Sequence, residues 1–217
     1  MTLNEVEKYR LPVRILHWLH SGAFIVLFLT GMILYLPRVT FHSLEQWIHL
    51  THLIATIVFV GVPVIYLIVF PRSAVRGLKM AFTWGRDDLK WFVASPRFYL
   101  LGDEKKMPPQ GLLNSGQKIW WLLTILSGLT FAVTGATMWF FVKSASPPVL
   151  HRMILAHDIS FIVVGAMFLL HIYLAFFNPK MTQALSAMTR GKVTAEYAKK
   201  YRGKWYEETA GDREEKK

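Results

Sequence analysis

Four runs of apolar residues set the pattern of the chain: Leu16–Leu36, Ile48–Phe70, Ile119–Val142 and Ile159–Phe177. Each is about 20 residues long, the length a helix rising ~1.5 Å per residue needs to cross ~30 Å of hydrocarbon. Polar or helix-breaking residues bound them. Arg14 and Pro37 flank the first, and Pro71-Arg72 stop the second. Gln117-Lys118 open the third, which Lys143 and Pro147-Pro148 close; Pro179 follows the fourth. Trp18, Trp47, Trp120, Trp121 and Trp139 sit near run ends, where an aromatic belt is expected. Pro63 interrupts the second run and predicts a kink.

The pattern predicts an all-α integral membrane protein. It is a four-transmembrane-helix bundle with helices at about residues 14–36, 48–70, 117–142 and 150–178. The segment 71–116 is a long loop. Within it Arg72–Phe92 reads as an amphipathic surface helix with Trp84 and Trp91, broken up by Asp87-Asp88 and Gly102-Asp103. Residues 179–217 form a polar, basic tail whose end, Gly211–Lys217, is expected to be disordered. No repeat or low-complexity tract divides the chain, so 1–217 reads as one membrane domain, and no cleavable signal peptide is evident.

Charge orients this arrangement. The net charge is +11, but all but Arg38, Lys143 and Arg152 of the 25 lysines and arginines fall in the N-terminal segment, the long loop, the start of the third helix and the tail. By the positive-inside rule both termini are cytoplasmic, and the short loops Pro37–Trp47 and Lys143–Leu150 are outside. The excess charge is thus a topology signal and an attraction to anionic membrane lipid, not a nucleic-acid footprint. Cysteine is absent. That excludes disulfides, thiolate-held iron–sulfur clusters and zinc, and covalent haem attachment through C-x-x-C-H.

Ionisable residues inside a membrane point to function, and the histidines are the candidates. His157 and His171 share the fourth helix, fourteen residues apart. At ~1.5 Å and ~100° per residue they lie on one face, roughly 21 Å apart in height. His17 and His20 begin the first helix on the inner side; His49 and His52 begin the second on the outer side. Depth then limits the pairing: His171 can meet His17 or His20, and His157 can meet His49 or His52. Two bis-histidine sites result, one near each surface. Paired imidazoles on facing helices suit haem iron with both axial positions filled, which carries electrons and leaves no open coordination site. Two ligands per level are too few for zinc or copper. A proton relay or a packing role is the rival reading of each histidine. Gly22, Gly31, Gly128, Gly135 and Gly165 suit either a flat macrocycle between helices or close helix contact. His42 and His151 read as interfacial residues.

Several marks together resemble the cytochrome b (gamma) subunits of membrane-bound formate dehydrogenases, a di-haem cytochrome b family. They are Arg14-x-x-His17-Trp18, a histidine early in the second helix, Asn114-Ser115-Gly116-Gln117-Lys118 before the third, His157–x13–His171-Ile172-Tyr173-Leu174-Ala175-Phe176, and a basic tail ending Lys204-Trp205-Tyr206. The resemblance runs from about Arg10 to Tyr206. It implies two b haems in four helices, with His17 and His171 on the inner iron and His157 and a second-helix histidine on the outer one. His52-Leu-Ile-Ala-Thr-Ile-Val-Phe resembles the family's run better than the stretch from His49, so His52 is the expected ligand and His49 the alternative. The His-Trp pair favours His17 over His20.

Asn114, Gly116 and Gln117 fall in the family's quinone segment. Asn114 or Gln117 could donate to a quinone carbonyl; Asn114 or Ser115 could equally be a helix N-cap. The implied partners are an iron–sulfur subunit, a molybdenum- or tungsten-containing catalytic subunit that oxidises formate, and menaquinone or ubiquinone. The implied setting is a bacterial or archaeal plasma membrane. A nickel–iron hydrogenase or thiosulfate reductase cytochrome, or a haem-free transporter subunit, are the alternatives.

Overall fold

The computed structural model describes residues 4–36 and 44–214, with side chains as far as residue 209. Arg38, His42 and the end of the tail lie outside the described residues. The order is β1 (Glu5–Glu7), α1 (Leu11–Tyr35), α2 (Glu45–Val69), α3 (Pro71–Phe82), α4 (Arg86–Pro96), a π turn (Arg97–Leu101), α5 (Ser115–Phe140), α6 (Pro147–Ile172), a second π turn (Tyr173–Phe177), a 3₁₀ turn (Pro179–Met181), α7 (Thr182–Thr189), β2 (Lys192–Thr194), α8 (Ala195–Tyr201) and α9 (Gly203–Glu214).

α1, α2, α5 and α6 are the four apolar helices long enough to cross a membrane. An isolated helix satisfies its own backbone in hydrocarbon, and these leave large apolar side chains outside: Ile68 is 72% and Phe140 73% exposed. Local chemistry moves their ends. Pro147-Pro148, expected to close the third run, instead open α6; an N-terminal turn does not use the N–H that proline lacks. α5 starts at Ser115 because Asn114 and Gln117 form a reciprocal capping box: Asn114 Oδ1 accepts from Gln117 N–H at 2.8 Å, and Gln117 Oε1 from Asn114 N–H at 3.0 Å. Pro63 lies within α2, which is assigned as one helix to Val69.

The expected surface helix is two helices, and its break was misplaced. Thr83–Gly85 separates α3 from α4, while Asp87 and Asp88 stand in the first turn of α4. Asp88 accepts the Gly85 N–H at 2.8 Å, so it starts a helix where it was expected to interrupt one. The tail also departs from expectation: α9 is assigned to Glu214, four residues into the stretch expected to be disordered.

Contacts gather into two compact units. One holds Ile15–Ala74 and Leu123–Tyr173. There the helices form a ring, α1 to α2 through Thr30 and His52, α2 to α5 through Phe59 against Gly128, α5 to α6 through Thr134 and His157, and α6 to α1 through Phe161 and Phe28. Side chains make each of these links.

The other unit holds Met1–Arg14, Val75–Leu122 and Leu174–Lys217. β1 pairs antiparallel with β2, Val6 opposite Val193. Both pack with Ala187, Tyr197, Ala198 and Trp205 into a small core. Gly191 turns the chain from α7 into β2 at φ +84°, and a Cβ there would stand 2.7 Å from the Tyr9 carbonyl oxygen, so only glycine fits. Arg14 donates to the Met188 and Thr189 carbonyls at the end of α7, supplying both partners and charge to a helix C-terminus.

Candidate functional site

The sequence-expected histidines divide by level. At one end of the helix unit His17 of α1 faces His171 of α6, ring centroids 6.5 Å apart and planes at 52°. His20, one turn on, stacks on Phe59 of α2 at 4.1 Å instead. The second π turn begins two residues after His171, and the Tyr173 N–H reaches both Leu169 O and Leu170 O. π segments often mark functional positions in helices.

The other pair is His52 of α2 and His157 of α6, within each other's electrostatic range. Each has a threonine partner. The Thr30 hydroxyl donates to Val26 O at 2.7 Å, so its oxygen accepts from His52 Nδ1–H at 2.8 Å. The Thr134 hydroxyl donates to Thr130 O at 2.6 Å and accepts from His157 Nδ1–H at 2.8 Å. Both imidazoles are thereby held as the Nδ1–H tautomer, with the Nε2 lone pair available to a metal. His49 points elsewhere: it is exposed and lies 3.9 Å from Glu45. His151 is exposed too.

No third His, Asp or Glu joins either pair among the described residues. Two trans imidazoles bound to one ion, each nitrogen at about 2.0 Å, hold their centroids roughly 6–6.5 Å apart, close to the His17–His171 spacing. The glycines differ among themselves. Gly31 abuts His52 and Phe161, and Gly165 abuts Phe28, whereas Gly22 and Gly135 have nothing within 4 Å of a would-be Cβ.

The Asn114–Lys118 segment belongs to the other unit. Asn114 is buried, and both it and Gln117 serve the cap of α5. Gln117 Oε1 also accepts from Arg202 at 3.3 Å. Gly116 lies under Trp91: a Cβ would sit 2.7 Å from that ring, so close packing accounts for this glycine. Ser115 and Lys118 both reach Asp88, at 2.7 Å and 2.9 Å. Burial pushes the Asp88 carboxyl up, but hydrogen bonds from Lys118, Ser115 and the Gly85 N–H outweigh it and hold Asp88 below the ordinary carboxylate range.

Sequence reasoning missed Thr30, Thr134, Asp88 and Arg202. A membrane threonine reads as a residue bonded to its own helix, which these also are. For Asp88 a signal existed: its spacing from Gly85 is that of a capping pair.

A bundle of four membrane helices with paired histidines defines a class, the membrane cytochromes b. The sequence profile of the prokaryotic cytochrome b561 family matches residues 8–191, and the chain belongs to that family; it is a multi-pass prokaryotic membrane protein. It is 29% identical to the formate dehydrogenase cytochrome b556 subunit of Haemophilus influenzae over 94% of this chain and 84% of that one. It is 29% identical to the cytochrome b556(fdo) subunit of Escherichia coli K12 formate dehydrogenase over 98% and 97% of the two chains. The nitrate-inducible b556(Fdn) subunit of the same strain matches at 28% over 57% and 56%. Family membership implies haem b, and the paired imidazoles are the kind of donor such an iron takes.

Proposed function

We propose that the chain is the membrane cytochrome b subunit of a formate dehydrogenase, taking electrons from an iron–sulfur partner and delivering them to a quinone. The observation that supports this reading is the two histidine pairs, one of them held at Nδ1 by threonines so that Nε2 is not used by that bond. His17 and His171 would hold the inner haem b, His52 and His157 the outer. A b haem at each level supplies one-electron carriage between the outer donor and menaquinone or ubiquinone near the inner surface. Formate is oxidised in a separate molybdenum- or tungsten-containing subunit. The basic asymmetry supports a cytoplasmic position for both termini, and in this reading the protons for quinone reduction come from that side.

The chain's own groups divide this work. Thr30 and Thr134 orient the outer ligands. Asn114 and Gln117 spend their acceptor oxygens on the helix cap, which leaves the Gln117 amide NH₂ to donate to a quinone carbonyl. Asp88 and Lys118 hold the start of α5 in place.

The primary test is the dithionite-reduced minus oxidised spectrum of the purified protein with its haem content. Two haems per chain and a split α band are expected, reducible by formate when the partner subunits co-purify. Absence of a Soret band would remove the reading. Thr30→Val and Thr134→Val should each weaken the outer haem alone, roughly 10–100-fold, as loss of a partner behind a metal ligand does. Haem titration of each variant checks this, and unchanged affinity in both would assign the threonines to packing. Asn114→Ala and Gln117→Ala should slow reoxidation by a water-soluble quinone analogue several-fold with both haems retained, since a neutral hydrogen bond contributes about 0.5–1.5 kcal/mol. Wild-type rates in both would leave that segment as a helix cap only.

A further inference from the structure

Among the described residues, two cations are buried in the second unit without a carboxylate partner. Arg202 is 3% exposed. Its guanidinium donates to the Tyr201 carbonyl at 2.8 Å and to Gln117 Oε1, while its Nε has no partner. Lys8 is 7% exposed. Burial first, then the Arg202 charge, pull its ammonium well below the ordinary lysine value. A lysine can release its proton under such conditions; an arginine cannot. A buried charge facing only neutral dipoles is costly, so Arg202 calls for an anion.

A cavity of about 300 Å³ supplies the place. Arg202, Lys199 and Lys200 line it together with Asn114, and Trp91, Phe98 and Met181 form apolar wall. Its carboxylate among the described lining residues, Glu104, is already engaged by Lys200 at 2.8 Å, Lys180 at 3.4 Å and the Tyr201 hydroxyl at 3.1 Å. What remains is positive and rich in donors.

We propose that this cavity binds a phosphate group, held by Arg202 with Lys199 at the mouth and carried by the headgroup of an acidic phospholipid. The unpartnered Arg202 Nε–H, with the Lys199 ammonium lining the same cavity, suits an anion with several acceptor oxygens. The apolar wall suits the glycerol backbone that a lipid, but not free phosphate, brings with it. The site rests on the second unit alone and is independent of the haem reading, though it borders the proposed quinone segment through Asn114 and Gln117.

The test uses the full-length protein in nanodiscs of phosphatidylcholine alone or with phosphatidylglycerol or cardiolipin, at matched ionic strength. Tryptophan fluorescence follows thermal unfolding, and native mass spectrometry counts retained lipid. Acidic lipid should raise the unfolding temperature and leave about one retained lipid per chain. Arg202→Gln and Lys199→Gln should each reduce retention at least several-fold; if Arg202→Gln does not fold, Lys199→Gln carries the comparison. Lys105→Gln/Lys106→Gln removes charge from exposed positions outside the cavity and should leave retention unchanged. Inorganic phosphate in phosphatidylcholine that stabilises as well as acidic lipid would keep the phosphate site and assign it to the free ion. Neither probe exceeding chloride, or equal loss in the Lys105/Lys106 control, would overturn the proposal. So would stabilisation by co-purifying subunits alone, which would give the cavity to a protein anion.

Discussion

His52→Ala and His157→Ala should each halve the haem content, from two per chain to one, while His49→Ala leaves it at two. Under the proposed di-haem arrangement each alanine would remove a ligand nitrogen from the outer site and nothing from the inner one, because His171 lies fourteen residues along α6 from His157, roughly 21 Å away. The distinction between His49 and His52 is geometric. His52 Nδ1 is held by Thr30 between α1 and α2, whereas His49 is exposed beside Glu45. Pyridine haemochrome quantification with a redox titration reads the result: one component of the titration should vanish and the other keep its midpoint. Loss of both haems from a variant whose helix content is intact would show that the sites are not independent. Loss on His49→Ala with retention on His52→Ala would move the ligand one turn earlier and detach Thr30 from any role.

Asp88→Ala should be the most damaging change outside the helix bundle. Asp88 accepts from Lys118, Ser115 and the Gly85 N–H, and the Asp88 and Lys118 side chains are only 11% and 14% exposed. Removing the carboxylate leaves the Lys118 ammonium with the Thr83 carbonyl at 2.8 Å and no counter-charge. Breaking a buried pair from one side costs about 3 kcal/mol or more, and a drop of roughly 6–10 °C in unfolding temperature is expected for a chain of this size. Asp88→Ala/Lys118→Met should recover part of that loss, because no buried charge is then stranded. Simple additivity of the two changes would mean the pair is not coupled. The pH dependence has a definite sign. A carboxyl held below its unfolded value adds stability above the unfolded pKa, and that stability fades as pH falls through the depressed folded value. Wild type should therefore lose stability in acid faster than Asp88→Ala, measured by unfolding temperature against pH.

The amino-acid pattern alone determined the four spans, because about 20 uncharged apolar residues in a row have one stable hydrogen-bonded form in lipid. It also limited which histidines can meet at one level, since rise along a helix depends on residue number and nothing else. It could not say which of two histidines a turn apart faces inward, because rotation about a helix is set by neighbours. Phe59 takes His20, and Thr30 takes His52. The charged loop and tail were the least legible. Polar composition reads as solvated surface, yet Val6 and Val193 meet across a strand pair, and Trp205 is buried with them. These contacts join residues nearly two hundred positions apart, and no local periodicity announces them. Asp88 became an ion-pair partner, and Arg202 a buried cation, only once the fold had placed Lys118 and Gln117 beside them. Charge energetics depend on what surrounds a group, and that surrounding exists only in the tertiary structure.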